Sequence, residues 1–462
     1  RTFRSSNPLP MKENTPILSR DGVSYLVPFV LITFCFALWG FANDITNPMV
    51  KAFSKIFRMS VTDGALVQVA FYGGYFAMAI PAALFIRKFS YKSGVLVGLG
   101  LYALGAFLFW PAEKTGSYYP FLLAYFIMTC GLSFLETSCN PFILSMGPDE
   151  TATRRLNLAQ SFNPCGSLLG MFVAMNFIQN RLDPMSSADR ALLSPEEFEI
   201  MKHSDLSILI APYLAIALVI AVIFIVILLT RMPKNADSGV NTGFVPAVKR
   251  LFARQHYREG VLTQFFYVGA QIMCWTFIIQ YGTRVLVGTM PNGFERSILS
   301  MMGQPSDGIL SEKAAEVLSQ GYNIIAMLFF VLSRFICTYL LKYLRPGRML
   351  AAFALGGILL SAGVILLQGR AGLYCLVAIS ICMSLMFPTI YGIALEGTGE
   401  DAKLGSAGLI MAILGGSVLP PVQAAIIDLG TVMSMPAVNI SFLLPLICFA
   451  VIAAYGIRMS RA

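Results

Sequence analysis

Twelve apolar windows, each long enough to cross a bilayer, leave this chain little choice of architecture. A spanning helix needs about 20 mostly apolar residues. Such windows fall at roughly 25–49, 64–87, 93–112, 118–146, 156–180, 205–231, 259–285, 316–342, 349–368, 372–398, 405–428 and 437–459. The 462 residues are 56% hydrophobic and only 12% charged, whereas soluble domains carry about a quarter of their residues as charges. The expected fold is an all-α membrane protein of twelve transmembrane helices.

An even number of spans puts both termini on one side. If that side is the cytoplasm, the inner segments hold roughly two thirds of the 33 Lys and Arg, as the positive-inside rule requires. The net charge of +9 is therefore read as topology, and no nucleic-acid partner is expected. Residues 1–24 form an inner tail. The longest inner connection, 232–258, joins a polar stretch to the basic, partly amphipathic PAVKRLFARQHYR, which suits the inner membrane surface.

That connection looks like a seam between six-helix halves, 25–231 and 259–459. IRKFSYKSG follows span two and LKYLRPGR follows span eight. After span four the chain reads NPFILSMGPDETATRRLNLAQ; after span ten it reads FPTIYGIALEGTGEDAKLGSAG. Matches in register six helices apart point to pseudo-symmetric halves that rock about a shared site.

The nine cysteines all lie in apolar segments without metal or disulfide spacing, and the two histidines lie in polar connections. No metal, cofactor or catalytic nucleophile is expected, and the chain is not read as an enzyme. Residues 1–23 are polar, and the first apolar run is a full span rather than a short signal core.

Glu136 is the only charge in the run Tyr118–Met146. A carboxylate at that depth costs at least a few kcal/mol, which marks an ion or substrate path. A carboxyl there can load a proton from one side and release it to the other. Asp44 occupies a similar place in FALWGFANDITNPMV. Both are assigned to proton coupling, with Asp44 serving sugar or ion.

Polar stripes share faces with these acids. Span one carries Trp39, Asn43 and Asn47; span four carries Ser133 and Asn140 around Glu136; span five carries Asn157, Gln160, Asn163 and Ser167; span seven carries Gln264, Tyr267, Gln271 and Trp275. Amides that donate and accept, beside an indole plate, suit a polyhydroxylated ring. The alternative is hydrogen bonding between helices. Arg334 is a lone buried base, read as a structural ionic residue. Pro81, Pro141 and Pro388 mark kinks.

LWGFANDITNP, AFYGGYF, FSYKSG, LYALGAFLFWPA, LETSCNPF, RLNLAQSFN and YVGAQIMCW together resemble the major facilitator superfamily of sugar transporters, in its fucose/glucose/galactose permease branch. The resemblance spans about residues 25–455. It implies the major facilitator fold, a central sugar cavity, symport, and a bacterial inner membrane. Glu136 matches the branch's span-four acid, Gln160 and Asn163 its span-five polar residues, and Trp275 an aromatic of span seven. One departure concerns coupling: the branch's span-one acid lies where this chain has Asn47, and an amide lies where it has Asp44. Phe387 stands where the branch's fucose symporter has a tyrosine, which widens the expected substrate to a related hexose or deoxyhexose.

The expectation is a monomeric, proton-coupled sugar importer in the lipid bilayer, with Trp39, Asn43, Asn47, Asn140, Gln160, Asn163, Gln271 and Trp275 binding sugar. The rivals are an uncoupled or sodium-coupled carrier of the same fold, and a non-transporting sugar sensor.

Overall fold

A computed structural model describes residues 18–20, 23–46, 49–59, 66–179, 181–183, 190, 192–232, 243–305, 307–432 and 434–461. Among these, eleven helices are long and apolar enough to cross a membrane. In hydrocarbon each backbone N–H and C=O must be satisfied within the protein, and a helix does this within itself.

The first four spans are α1 (Leu26–Thr46), α2 (Leu66–Lys88), α3 (Tyr91–Phe107) and α4 (Tyr119–Ser145). The expected fifth span, 156–180, is not one helix. It is divided into α5 (Ala152–Gln160), α6 (Asn163–Val173) and a π-helical turn at Ala174–Gln179. The sequence ATRRLNLAQ is too polar to count as a membrane window, and Pro164 at the start of α6 cannot donate back into α5. Next comes α7 (Pro195–Leu229), entered through a capping box at Ser194 and Glu197.

Within the connection that follows, residues 233–242 lie outside the described residues, and the basic stretch forms α8 (Phe244–Ala253). Then follow α9 (Gln255–Leu286), α10 (Glu312–Leu340) and α11 (Pro346–Leu366). The tenth span is α12 (Arg370–Met383) plus α13 (Met386–Leu395), interrupted before Pro388. The eleventh is α14 (Ala402–Met411) and α15 (Gly415–Ile427), joined by a 3-10 turn at Ala412–Leu414. The last is α16 (Leu443–Arg461). Two small antiparallel ribbons pair Ser19 with Ser24 and Thr431 with Pro436.

Two seams bring helices nearly into backbone contact. A Cβ on Gly166 would sit 1.8 Å from the Ala37 carbonyl oxygen, and one on Gly40 would sit 2.0 Å from that of Asn163. These glycines press α6 against α1, as small residues do in membranes. Six helices later Gly415 repeats the arrangement, its Cβ position lying 2.0 Å from the Phe265 carbonyl oxygen and setting α15 against α9.

The buried apolar residues fall into two main clusters. One runs from Tyr25 to Tyr257 and takes in Tyr391 and Leu404 to Ile410; the other runs from Tyr267 to Tyr455. Leu218, Leu229, Leu359 and Leu366 are exposed on outer faces, where lipid chains would cover them. All nine cysteines are free.

Candidate functional site

A cavity of about 130 Å³ lies between α1, α2, α4, α5 and α6 on one side and α9, α10 and α13 on the other. α1 supplies Trp39, Asn43 and Asp44; α4 supplies Glu136; Gln160, Asn163 and Ser167 come from the two pieces of span five. From the facing side, α9 presents Gln271 and Trp275, four residues and about one turn apart, and α10 presents Met327, Phe330 and Arg334. The wall therefore mixes carboxyls, carboxamides and indoles.

Glu136 is buried, and the Tyr75 hydroxyl donates to its Oε1 at 3.3 Å. Its Oε2 has no hydrogen-bond partner among the described residues. A buried polar atom left unmatched costs about 1–3 kcal/mol, a cost tolerated where an ion or ligand must be met. Ser133 does not face the cavity; its hydroxyl donates to the Tyr75 carbonyl at 3.0 Å and ties α4 to α2. Asp44 and Asn43 are half-buried at the cavity wall.

Span five is held open by its own break. Pro164 has no N–H, so the Gln160 carbonyl lacks its usual donor four residues on. Pro388 does the same to Ser384. Arg334 fills both vacancies, donating through Nη1 to the Gln160 oxygen at 3.1 Å and through Nε to the Ser384 oxygen. Its guanidinium also lies 4.5 Å from the centre of the Phe330 ring. The expectation of an ionic residue is corrected: among the described residues no carboxylate lies within ion-pair distance of Arg334, and two backbone carbonyls and the Phe330 ring meet the charge instead.

Several amides are oriented by backbone. Asn163 Nδ2 donates to the Phe36 carbonyl at 3.1 Å, and Ser167 Oγ to that of Gly40 at 3.3 Å. Gln160 Nε2 donates to Asn140 Oδ1 at 2.7 Å, while Asn140 Nδ2 donates to the Glu136 carbonyl at 3.0 Å. Trp275 Nε1 donates to Ser380 Oγ at 3.2 Å, and its ring meets Phe330 edge-on with centroids 5.0 Å apart. Trp39 packs 4.3 Å from Phe36, centroid to centroid.

Thus Trp39, Asn43, Asp44, Glu136, Gln160, Asn163, Gln271, Trp275 and Arg334 meet at one cavity. Asn140 is fully buried behind Gln160 and does not line it. Asn47 lies outside the described residues. Asn157 turns away to Thr389 Oγ1 at 3.2 Å, and Tyr267 donates to the Met383 carbonyl at 3.1 Å. Gln264 is buried with neither amide atom bonded among the described residues. Sequence reasoning did not assign Tyr72 and Tyr75, although their three-residue spacing in AFYGGYF puts both on one face of α2. Phe387, noted for its missing hydroxyl, lines the cavity.

On the side of α8 the walls are joined. Ser406 Oγ donates to the Thr137 carbonyl at 3.0 Å, Asn157 meets Thr389, and the hydroxyls of Ser161 and Thr338 lie 3.4 Å apart. Beneath them Arg250 on α8 grips Asp401 with two bonds of 2.8 Å. Among the described residues no group of three or more His, Cys, Asp or Glu is placed to hold a metal.

Fold and cavity define a multi-pass membrane carrier with a polar central site. The sequence profile of the Major Facilitator Superfamily matches residues 32–420, and the chain belongs to that superfamily. It is a transporter rather than an enzyme. It is 52% identical over 441 residues to the L-fucose-proton symporter of Haemophilus influenzae, covering 94% of this chain and 96% of the relative. The L-fucose-proton symporter of Escherichia coli is 34% identical over 437 residues, covering 94% and 93%. The crystal structure of the Major Facilitator Superfamily transporter FucP in the outward conformation matches with a TM-score of 0.82 at 33% identity, covering 95% of this chain and 100% of that one.

Proposed function

We infer that this chain imports L-fucose, or a closely related hexose or deoxyhexose, by proton symport across a bacterial inner membrane. Both termini lie in the cytoplasm. Residues 25–231 and 259–459 act as two six-helix halves that rock about the cavity, joined by the linker 232–258, and alternately open it to either side. The observation that carries the reading is the meeting of Glu136 and Asp44 with Gln160, Asn163, Gln271 and two indoles at one cavity. An ion site and a sugar site that share walls can be loaded and emptied together. The 52% identity to an L-fucose-proton symporter supports both the sugar and the ion.

In this reading Glu136 carries the proton, and Asp44, on α1 at the same side of the cavity, takes up sugar or ion. Asn43, Gln160, Asn163 and Gln271 meet hydroxyls, while Trp39 or Trp275 covers the apolar face of the ring. The basic residues of the inner connections support the orientation.

The test is radiolabelled L-fucose in proteoliposomes, with an imposed pH gradient and unlabelled sugars as competitors, for wild type and Glu136→Gln. Accumulation that follows the pH gradient and is lost in the variant, with exchange retained, is the expected result. Equal accumulation by both proteins removes Glu136 from coupling. Accumulation that requires sodium replaces the ion.

A further inference from the structure

Asn140 was expected to touch the sugar, yet it sits fully buried behind the cavity wall with both ends of its carboxamide engaged. Its bonding order is fixed by chemistry. The Glu136 backbone carbonyl can only accept, so the Asn140 group facing it at 3.0 Å must be the NH₂. The opposite atom, Oδ1, can also only accept, so the Gln160 group facing it at 2.7 Å must in turn be an NH₂. Gln160 lines the cavity, and the nitrogen end of its amide is turned back toward Asn140 by one of its two hydrogens.

We propose that Asn140 is a positioning residue that fixes the polarity of Gln160, so that the cavity meets a carbonyl oxygen there and reads a sugar hydroxyl only as a donor. This rests on the sugar-transport reading and deepens it. Asn163 adds to the pattern: an Nδ2 hydrogen goes to the Phe36 carbonyl at 3.1 Å, so the nitrogen end of this amide is held against α1. With the carboxyl of Glu136 beside them, this wall is rich in acceptors. Exchanging one hydroxyl of the sugar for fluorine or a methyl ether keeps an acceptor and removes the donor. At the position that meets Gln160 such an analogue is rejected as strongly as the plain deoxy sugar.

The experiment is competition against L-fucose counterflow in proteoliposomes, using monodeoxy, monodeoxyfluoro and mono-O-methyl sugars, for wild type, Asn140→Leu and Asn140→Asp. In the wild type at least one position shows deoxy and deoxyfluoro sugars both weaker than L-fucose by about tenfold, the value of one lost hydrogen bond of good geometry. In Asn140→Leu the Gln160 amide can turn its NH₂ to the fluorine, so the deoxyfluoro sugar regains affinity over the deoxy sugar while the maximal exchange rate changes less. Asn140→Asp, whose protonated carboxyl can donate to Glu136 and accept from Gln160, retains the wild-type pattern. The proposal is overturned if every deoxyfluoro sugar competes like L-fucose in the wild type, a measurement that needs no variant. It is overturned equally if Asn140→Leu keeps the wild-type ranking. Absence of L-fucose counterflow in the wild type overturns the functional reading together with this one; counterflow with the wrong ranking overturns this one alone.

Discussion

Arg334 and Gln160 meet at the floor of the cavity, the guanidinium Nη1 on α10 donating to the carbonyl oxygen of α5 at 3.1 Å. The bond exists because Pro164 has removed that carbonyl's helical donor, and the Ser384 carbonyl, taken by the same guanidinium, is freed by Pro388. A charge with no acid beside it among the described residues is thereby solvated by two backbone dipoles, each otherwise an unmatched acceptor.

Arg334→Gln should therefore melt well below wild type in detergent, since at least one buried carbonyl is left unpaired at about 1–3 kcal/mol. Arg334→Lys should fall between, because a compact ammonium does not reproduce the planar fork. The check is a thermal melt of the purified proteins. A variant pair that melts with the wild type would remove the carbonyls from the account of why this arginine is buried.

Pro141 acts in the same way on α4. It frees the Thr137 carbonyl, and Ser406 Oγ on α14 donates to it at 3.0 Å. Ser406 spends its hydrogen there, so Tyr391 must supply the hydrogen of the bond between its hydroxyl and Ser406. Ser406→Ala should weaken the closure on the α8 side by about 1 kcal/mol, a shift of roughly fivefold between two states. Spin labels on the turns at 148–151 and 397–401 should report longer distances in the variant. Unchanged distance distributions would mean that the latch does not bias the closure.

Much of this was legible in the sequence, and the failures have physical causes. Glu136 stood out because one charge in an apolar run has a cost that composition reveals. Twelve spans were read as apolar windows, but a window counts side chains and does not see Pro164 divide the fifth span into α5 and α6. Tyr72 and Tyr75 carried no such signal, since a phenol among aromatic residues resembles packing. Asn140 lies four residues from Glu136, one turn along α4. Four residues is also the reach of a side chain bonding back to its own helix, and sequence cannot choose between that bond and a ligand.

The glycine seams predict a steric failure. Gly166→Ala would put a methyl group 1.8 Å from the Ala37 carbonyl oxygen, and Gly415→Ala 2.0 Å from that of Phe265. Backbone cannot yield as a side-chain tip can, so each should cost about 1–3 kcal/mol or more and lower the yield of folded protein. Gly73→Ala, with nothing within 4 Å of the added carbon, is the control. Size-exclusion profiles of the three variants decide it, and three equal profiles would show that the seams can relax.

Glu295 gives a prediction with a sign in pH. It lies opposite the α8 side, in the short helix Gly293–Met301, and is fully buried. Arg370 holds its carboxyl at 2.9 and 3.1 Å, Tyr322 donates at 3.0 Å, and the Asn292 N–H donates at 2.8 Å. Burial alone would push this carboxyl up; the bonds from Arg370, then Asn292 and Tyr322, outweigh it and hold the group below the usual glutamate range. A carboxyl depressed on folding adds stability above its unfolded value of about 4.3, and that stability is lost as pH falls through the folded value. Glu295→Gln should cost about 2 kcal/mol at pH 7, less than for a fully buried pair because Arg370 is 29% exposed. The melting gap between variant and wild type should shrink steadily as pH is lowered below about 4. A gap of constant size across that range would assign the loss to packing and hydrogen-bond shape, with no part for the charge.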